Sequence, residues 1–117
     1  MIILYGIPNC DTVKNSRAWF EARGVNCQFH DFKKLGVPEA AIASWIKTLG
    51  WEALINKKGT TWRKLDAKTQ AGVTCAASAT ALMLAHPSVI KRPVVVGATG
   101  ISVGYSAQAF ESLLDQP

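Results

Sequence analysis

A chain of 117 residues, 49% hydrophobic and only 18% charged, is the size of one globular domain and has a folding composition, which excludes a disordered polypeptide. Its net charge of +5, from 13 basic and 8 acidic side chains, fits a solvated basic surface or an anionic substrate. Three cysteines cannot all pair and lack the dense spacing of a small secreted scaffold, so a disulfide framework is excluded and a cytoplasmic, reducing location is expected. The N-terminal residues have no basic n-region and meet Gly6 and Pro8 before a signal core could form, so no export signal is expected.

Residues 2–5, Ile-Ile-Leu-Tyr, form a short apolar run ended by Gly6 and Pro8, which predicts a buried strand. Over residues 11–23, Val13, Ser16 or Arg17, and Phe20 share a helical face with Trp19 beside them, and Gly24 marks the stop. Asn9 or Asp11 is the expected N-cap. Val25, Cys27 and Phe29 then alternate with Asn26, Gln28 and His30, and Phe32 extends this second strand. Two strands joined through a helix are parallel neighbours with a right-handed connection.

The middle of the chain, residues 36–87, reads as helical. Pro38 opens a helix in which Ile42, Trp45, Ile46 and Leu49 recur at i, i+3, i+4 and i+7 before Gly50. Residues 51–55 predict a short helical turn, residues 56–61 a basic loop leading to Trp62-Arg63-Lys64-Leu65. A further helix is expected from Thr74 or Cys75 to His86, with Leu82, Met83 and the alanines inward and Pro87 closing it. The uncharged stretch 69–90 has roughly the length of a membrane span, but Gly72, His86, Pro87 and several Ser and Thr residues argue against one. Val94-Val95-Val96 and Ile101-Ser102-Val103 flank a Gly-containing turn and predict a hairpin, and Ser106 is the N-cap of a last helix carrying Phe110, Leu113 and Leu114. The order βαβ, helical block, ββα gives an α/β fold: a four-stranded mixed sheet with helices on its faces.

Cys10 is the first candidate for chemistry, because it lies between the first strand and the first helix. Unpaired N–H groups and the helix dipole favour a thiolate there. The dipole contributes under about 1 kcal/mol, whereas lowering a thiol from about 8.5 to about 6 takes roughly 3.4 kcal/mol, so cations must supply the rest. Lys14, one turn on, is the local candidate. Cys27, on the apolar side of a strand pattern, reads as a small buried hydrophobe; Cys75 reads as structural or as a resolving thiol. No Cys-x-x-Cys is present and His30 and His86 stand apart, so no metal site is expected. The four tryptophans read mainly as core rather than a stacking platform, so no nucleic-acid partner is expected. Arg63 and Arg92 offer forked donors for oxyanions or carboxylates, and Arg92 precedes Pro93 at a strand start, where a cis peptide can form a tight turn.

Tyr5-Gly6-Ile7-Pro8-Asn9-Cys10-Asp11-Thr12, Gly59-Thr60-Thr61-Trp62-Arg63-Lys64-Leu65 and Ile90-Lys91-Arg92-Pro93-Val94-Val95-Val96, in this order, resemble the ArsC/Spx family of thioredoxin-like proteins, and its YffB-type branch in particular. The resemblance implies one domain over residues 1–117, with a thioredoxin-like core (1–35 and 88–117) and a helical insertion (36–87). It also implies that Cys10 is the redox nucleophile, that Arg63 and Arg92 are basic active-site positions, and that Pro93 is a cis proline facing the cysteine. Asn9 and Lys14 join the arginines as candidate substrate-binding residues. Arsenate reductases of this type carry a third arginine before the last helix, where this chain has Val103-Gly104-Tyr105-Ser106; Spx-type regulators carry Cys-x-x-Cys, where this chain has Val13. The expected activity is thiol-disulfide exchange through a single cysteine, with glutathione as co-substrate rather than a bound cofactor, and an anionic or disulfide substrate. Arsenate reduction and a non-catalytic module binding a protein partner are the alternatives.

Overall fold

A computed structural model describes residues 2–114. In chain order these are β1 (Ile2–Gly6), α1 (Asp11–Glu21), β2 (Cys27–Asp31), α2 (Phe32–Leu35), α3 (Glu39–Leu49), α4 (Trp51–Leu54), α5 (Thr60–Lys64), α6 (Ala67–Ala71), α7 (Ala76–Ala85), a 3-10 turn (Pro87–Val89), β3 (Val94–Val96), β4 (Ile101–Val103) and α8 (Ala107–Leu114). The packing divides them into two units: one reaches Leu35 and resumes at Arg92, the other is Gly36–Lys91.

The first unit holds the sheet, in the order β2-β1-β3-β4. β1 and β2 are parallel, with Ile2 opposite Cys27 and Gly6 opposite Asp31. β3 runs antiparallel to β1, with Leu4 opposite Val95 and Tyr5 opposite Val94, and β4 completes the hairpin. This is the expected thioredoxin-like α/β arrangement. Ile2, Leu4 and Val95 on one sheet face pack with Val13, Trp19 and Phe20 of α1 and with Phe110 and Leu113 of α8. Phe20 and Phe110 are fully buried with ring centroids 4.9 Å apart, and Trp19 meets Phe20 edge-on at the same distance. Burying one such side chain contributes about 1.5–3 kcal/mol, so this aromatic cluster is the main apolar anchor between helices and sheet.

The second unit has its own core: Ile42 and Trp45 of α3, Leu54 of α4, Ala79, Leu82 and Met83 of α7, and Val89 and Ile90. Ile55 and Ile90 form an antiparallel bridge, and the Lys91 N–H donates to the Leu54 carbonyl at 2.7 Å. Residues 88–91 belong to this unit because that bridge ties them to the chain after α4.

Several local expectations are corrected. The second strand stops at Asp31 instead of including Phe32: the Asp31 carboxylate accepts the Lys33 N–H at 2.8 Å, turning the backbone into α2. The first helix ends two residues early, at Glu21. The basic loop is shorter, because Thr60 and Thr61 already belong to α5. α6 has no counterpart in the sequence reading, although Asp66 marks its start: its carboxylate caps the Thr69 N–H at 2.7 Å. In α7 only Ala79 of the alanines is buried. Trp51 and Trp62 are half-buried, whereas Trp19 and Trp45 are core. Ser106 caps α8 as expected, its hydroxyl accepting the Ala109 N–H at 3.1 Å.

Candidate active site

β1 delivers the chain to a corner at the carboxyl end of the strand. A Cβ on Gly6 would lie 2.7 Å from Val13 Cγ2, so the missing side chain is what lets the strand approach the first turn of α1. Cys10 is the N-cap of that helix, neither Asn9 nor Asp11: its backbone is extended (φ −144°, ψ 123°), and its carbonyl accepts the Lys14 N–H at 2.9 Å. No side-chain oxygen caps the helix there. The sulfur makes no capping hydrogen bond either, and the N–H groups of Val13 and Thr12 in the first turn act on it by favouring the thiolate.

The cation acting on this sulfur comes from the other end of the chain. Because β3 runs antiparallel to β1, the residues just before Val94 lie beyond Tyr5, at the end of the sheet where Cys10 stands. Arg92 is half-buried there, and its peptide bond to the buried Pro93 is cis. The Pro93 carbonyl accepts the Gly104 N–H at 2.9 Å, with Gly104 at φ +82°. Partial burial of the Cys10 sulfur opposes ionisation. The Val13 N–H, the hydrogen bond and charge of Arg92, and the Thr12 N–H outweigh it and hold the thiol below its ordinary value.

Cys10, Arg92 and Pro93 thus meet in the first unit, with Asn9 exposed in the loop beside them. Lys14 is exposed on α1, and the positive charge that lowers the Cys10 thiol is that of Arg92. Arg63 is exposed near the end of α5, in the second unit.

Of the other two thiols, Cys27 differs from its sequence reading. Cys27 is half-buried rather than enclosed; burial pushes its thiol up to about 11 despite the opposing charge of Arg17. It pairs with Ile2 at the amino end of β1, roughly 13 Å from Gly6 at about 3.3 Å per strand residue, so it is at the opposite end of the sheet from Cys10. Cys75 is exposed at the start of a helix. It is the N-cap of α7 in a capping box with Ser78, whose hydroxyl lies 3.5 Å from the sulfur. The Ser78 side chain, the N–H groups of Ser78 and Ala77, and Thr74 hold this thiol below its ordinary value against slight desolvation. The signal was legible: Cys75-Ala76-Ala77-Ser78 is a capping-box spacing before an apolar run.

Among the described residues, no group of three or more His, Cys, Asp or Glu side chains gathers to hold a metal ion, and no helix is long and apolar enough to cross a membrane.

The fold recurs in known proteins. The structure of the YffB (PA3664) protein is similar to this chain at 39% identity with a TM-score of 0.92, covering 97% of this chain and 99% of that one. An arsenate reductase (ArsC) related protein from Brucella melitensis is similar at 42% identity and a TM-score of 0.74, covering 98% and 95%. An uncharacterized protein of Haemophilus influenzae is 30% identical over 112 residues, 96% of this chain and 97% of its own length. The family model described as ArsC family matches residues 5–113, from the strand that leads to Cys10 to the helix that closes the sheet, and the chain therefore belongs to the ArsC family.

Proposed function

We propose that the protein is a glutathione-dependent thiol-disulfide oxidoreductase with Cys10 as its single nucleophile, working in a reducing compartment such as the cytoplasm. The observation that carries this reading is the Cys10 thiol, lowered at the start of α1 by two backbone N–H groups and Arg92. Family membership and the arsenate reductase-related neighbour support a thiol oxidoreductase-like function at the coarser level.

In the proposed cycle the Cys10 thiolate attacks one sulfur of a substrate disulfide. That S–S bond breaks, the departing sulfur leaves as a thiolate and takes up a proton, and Cys10 remains in a mixed disulfide. A glutathione thiolate then attacks the substrate-derived sulfur, the bond to Cys10 breaks, and the Cys10 thiolate returns. Val13 stands three residues after Cys10 and Cys27 lies at the far end of β1, so turnover needs an external thiol unless the exposed Cys75 resolves the intermediate. Arg92 keeps Cys10 ionised and orients anionic groups, with Lys14 and Asn9 as further binding candidates.

The name of the 42% identical neighbour favours a second reading, arsenate reduction, in which Cys10 attacks arsenic while Arg92 holds the oxyanion. Intact-mass analysis after glutathione disulfide, arsenate with glutathione, or buffer separates the readings. Peptide mapping is part of the measurement because Cys75 is also exposed. Glutathione on Cys10, in wild type and in Cys75→Ser alike, is the expected result. A Cys10–Cys75 disulfide in wild type, with glutathionylated Cys10 only when Cys75 is absent, would overturn the single-nucleophile mechanism. An arsenic adduct dependent on Cys10 selects the second reading, and no adduct under any condition selects a protein-binding module instead of an enzyme.

A further inference from the structure

A groove of 630 Å3 runs along α1 in the first unit, lined by Thr12, Asn15, Ala18, Trp19 and Tyr105. Its size lies in the range of sites that enclose small ligands or a few residues of peptide. It starts in the first turn of the helix that Cys10 opens: Thr12, its first lining residue, stands two positions after the N-cap Cys10. A polypeptide attached to Cys10 through a disulfide can extend along this face of α1.

None of the five lining residues carries a formal charge. Trp19 gives an apolar floor, 8% exposed, and Tyr105 gives a wall, a residue 48% exposed whose ring lies edge-on to that of Phe110 at 5.4 Å. Thr12 and Asn15 add neutral donors and acceptors suited to a peptide backbone. The carboxylates of glutathione find no cation among these residues, whereas an uncharged side chain can stack on an aromatic wall whose partner ring already fixes it.

We propose that this groove is the subsite for an uncharged, aromatic or aliphatic side chain adjoining the reacting cysteine of a polypeptide disulfide, with Tyr105 as the specificity-determining residue. The inference rests on the disulfide-exchange reading above. Cys10 attacks the cysteine sulfur of the polypeptide, the S–S bond breaks, the other sulfur leaves as a thiolate, and the neighbouring side chain occupies the groove in the mixed disulfide until glutathione thiolate releases it.

The test is the rate of mixed-disulfide formation on Cys10 with two symmetrical probes, the disulfides of N-acetyl-Cys-Phe-amide and N-acetyl-Cys-Glu-amide, read by peptide-mapped mass spectrometry. Because Arg92 attracts the anionic probe in every variant, the quantity read is the Phe-to-Glu rate ratio. Loss of an aromatic contact of about 0.5–1.5 kcal/mol lowers that ratio roughly two- to tenfold in Tyr105→Ala. Tyr105→Phe keeps it, and Tyr105→Arg lowers it further. Iodoacetamide alkylation of Cys10 follows the same pH profile in all three variants, which separates a subsite from an altered nucleophile. A ratio unchanged in Tyr105→Ala overturns the subsite while leaving disulfide exchange intact. Failure of Cys10 to react with either probe in wild type overturns both.

Discussion

The Cys10 sulfur shows how few groups set the chemistry of one residue. Two backbone N–H groups are inherent in any helix start, so the adjustable contribution is Arg92. Arg92→Ala should raise the Cys10 thiol toward its ordinary value and slow alkylation near neutral pH, visible as a shift of the iodoacetamide rate profile to higher pH. Arg92→Lys should preserve most of that profile but bind oxyanions less well, since it keeps the charge and loses the fork. Equal profiles in wild type and both variants would remove Arg92 from the site. Cys27 gives a prediction of opposite sign. Its thiol is raised in the fold to about 11 from an ordinary value of 9.0, so the folded state keeps a proton that the unfolded chain releases. The associated stability is fully present below pH 9 and is lost as the pH rises toward 11. Water screens a half-buried group, so the effect is on the order of 1 kcal/mol. Thermal melts across pH 8 to 11 should show a smaller decline for Cys27→Ala than for wild type, after the titration common to both is subtracted.

At the scale of elements, the strand-to-helix corner brings Gly6 of β1 close against Val13 in the first turn of α1. A methyl at Gly6 would meet Val13 Cγ2 at 2.7 Å, and Val13 is fully buried, so the first turn of α1 must shift to admit it. Gly6→Ala should destabilise the protein by about 1–3 kcal/mol, as overpacking does, and should also slow Cys10 alkylation because the Val13 N–H moves with the turn. Val13→Ala frees the space that the new methyl needs. The double variant should therefore be less destabilised than the sum of the singles, and additive denaturation energies would show that the contact does not couple strand and helix. The capping signals of the other helices are equally local: Asp66 opens α6, Cys75 with Ser78 opens α7, and Ser106 opens α8.

For the whole molecule, the two units have separate cores and unequal charge. Residues 36–91 carry seven basic and three acidic side chains, against six and five in the rest, so most of the positive charge belongs to the second unit. Phe110 lies in the core of the first unit and Trp45 in that of the second, with exposures of 0% and 1%. Phe110→Ala and Trp45→Ala should each cost about 3–5 kcal/mol, measured by denaturant unfolding. Phe110→Ala should in addition loosen the Tyr105 ring, which rests on it, and so lower the same Phe-to-Glu rate ratio that tests the groove. A Trp45→Ala protein that is still folded should keep that ratio.

The strands and the longer helices, α1, α3, α7 and α8, are legible in the sequence because their signals fall within a few residues: period-two alternation at Cys27 and Phe29, a helical repeat from Ile42 to Leu49, Gly50 as a stop, and Ser106 as a cap. The position of Cys10 at a strand-to-helix turn is local in the same way, so the candidate nucleophile is legible from the sequence alone. Shorter turns escape such patterns where one side-chain hydrogen bond decides, as at Asp31, which ends a strand that alternation alone would continue. Tertiary structure decided which cation acts on the thiol. Lys14 is near in sequence, but antiparallel pairing of Tyr5 with Val94 brings Arg92 to the end of β1, and strand pairing between distant segments leaves no trace in a short window. It decided the environment of Cys27 and Cys75 as well, one half-buried and one exposed, and it made Tyr105 a wall of the groove beside Cys10. The reason is the same in each case: periodicity says which residues face a core, whereas exposure, electrostatics and cavities depend on what other parts of the chain pack against them.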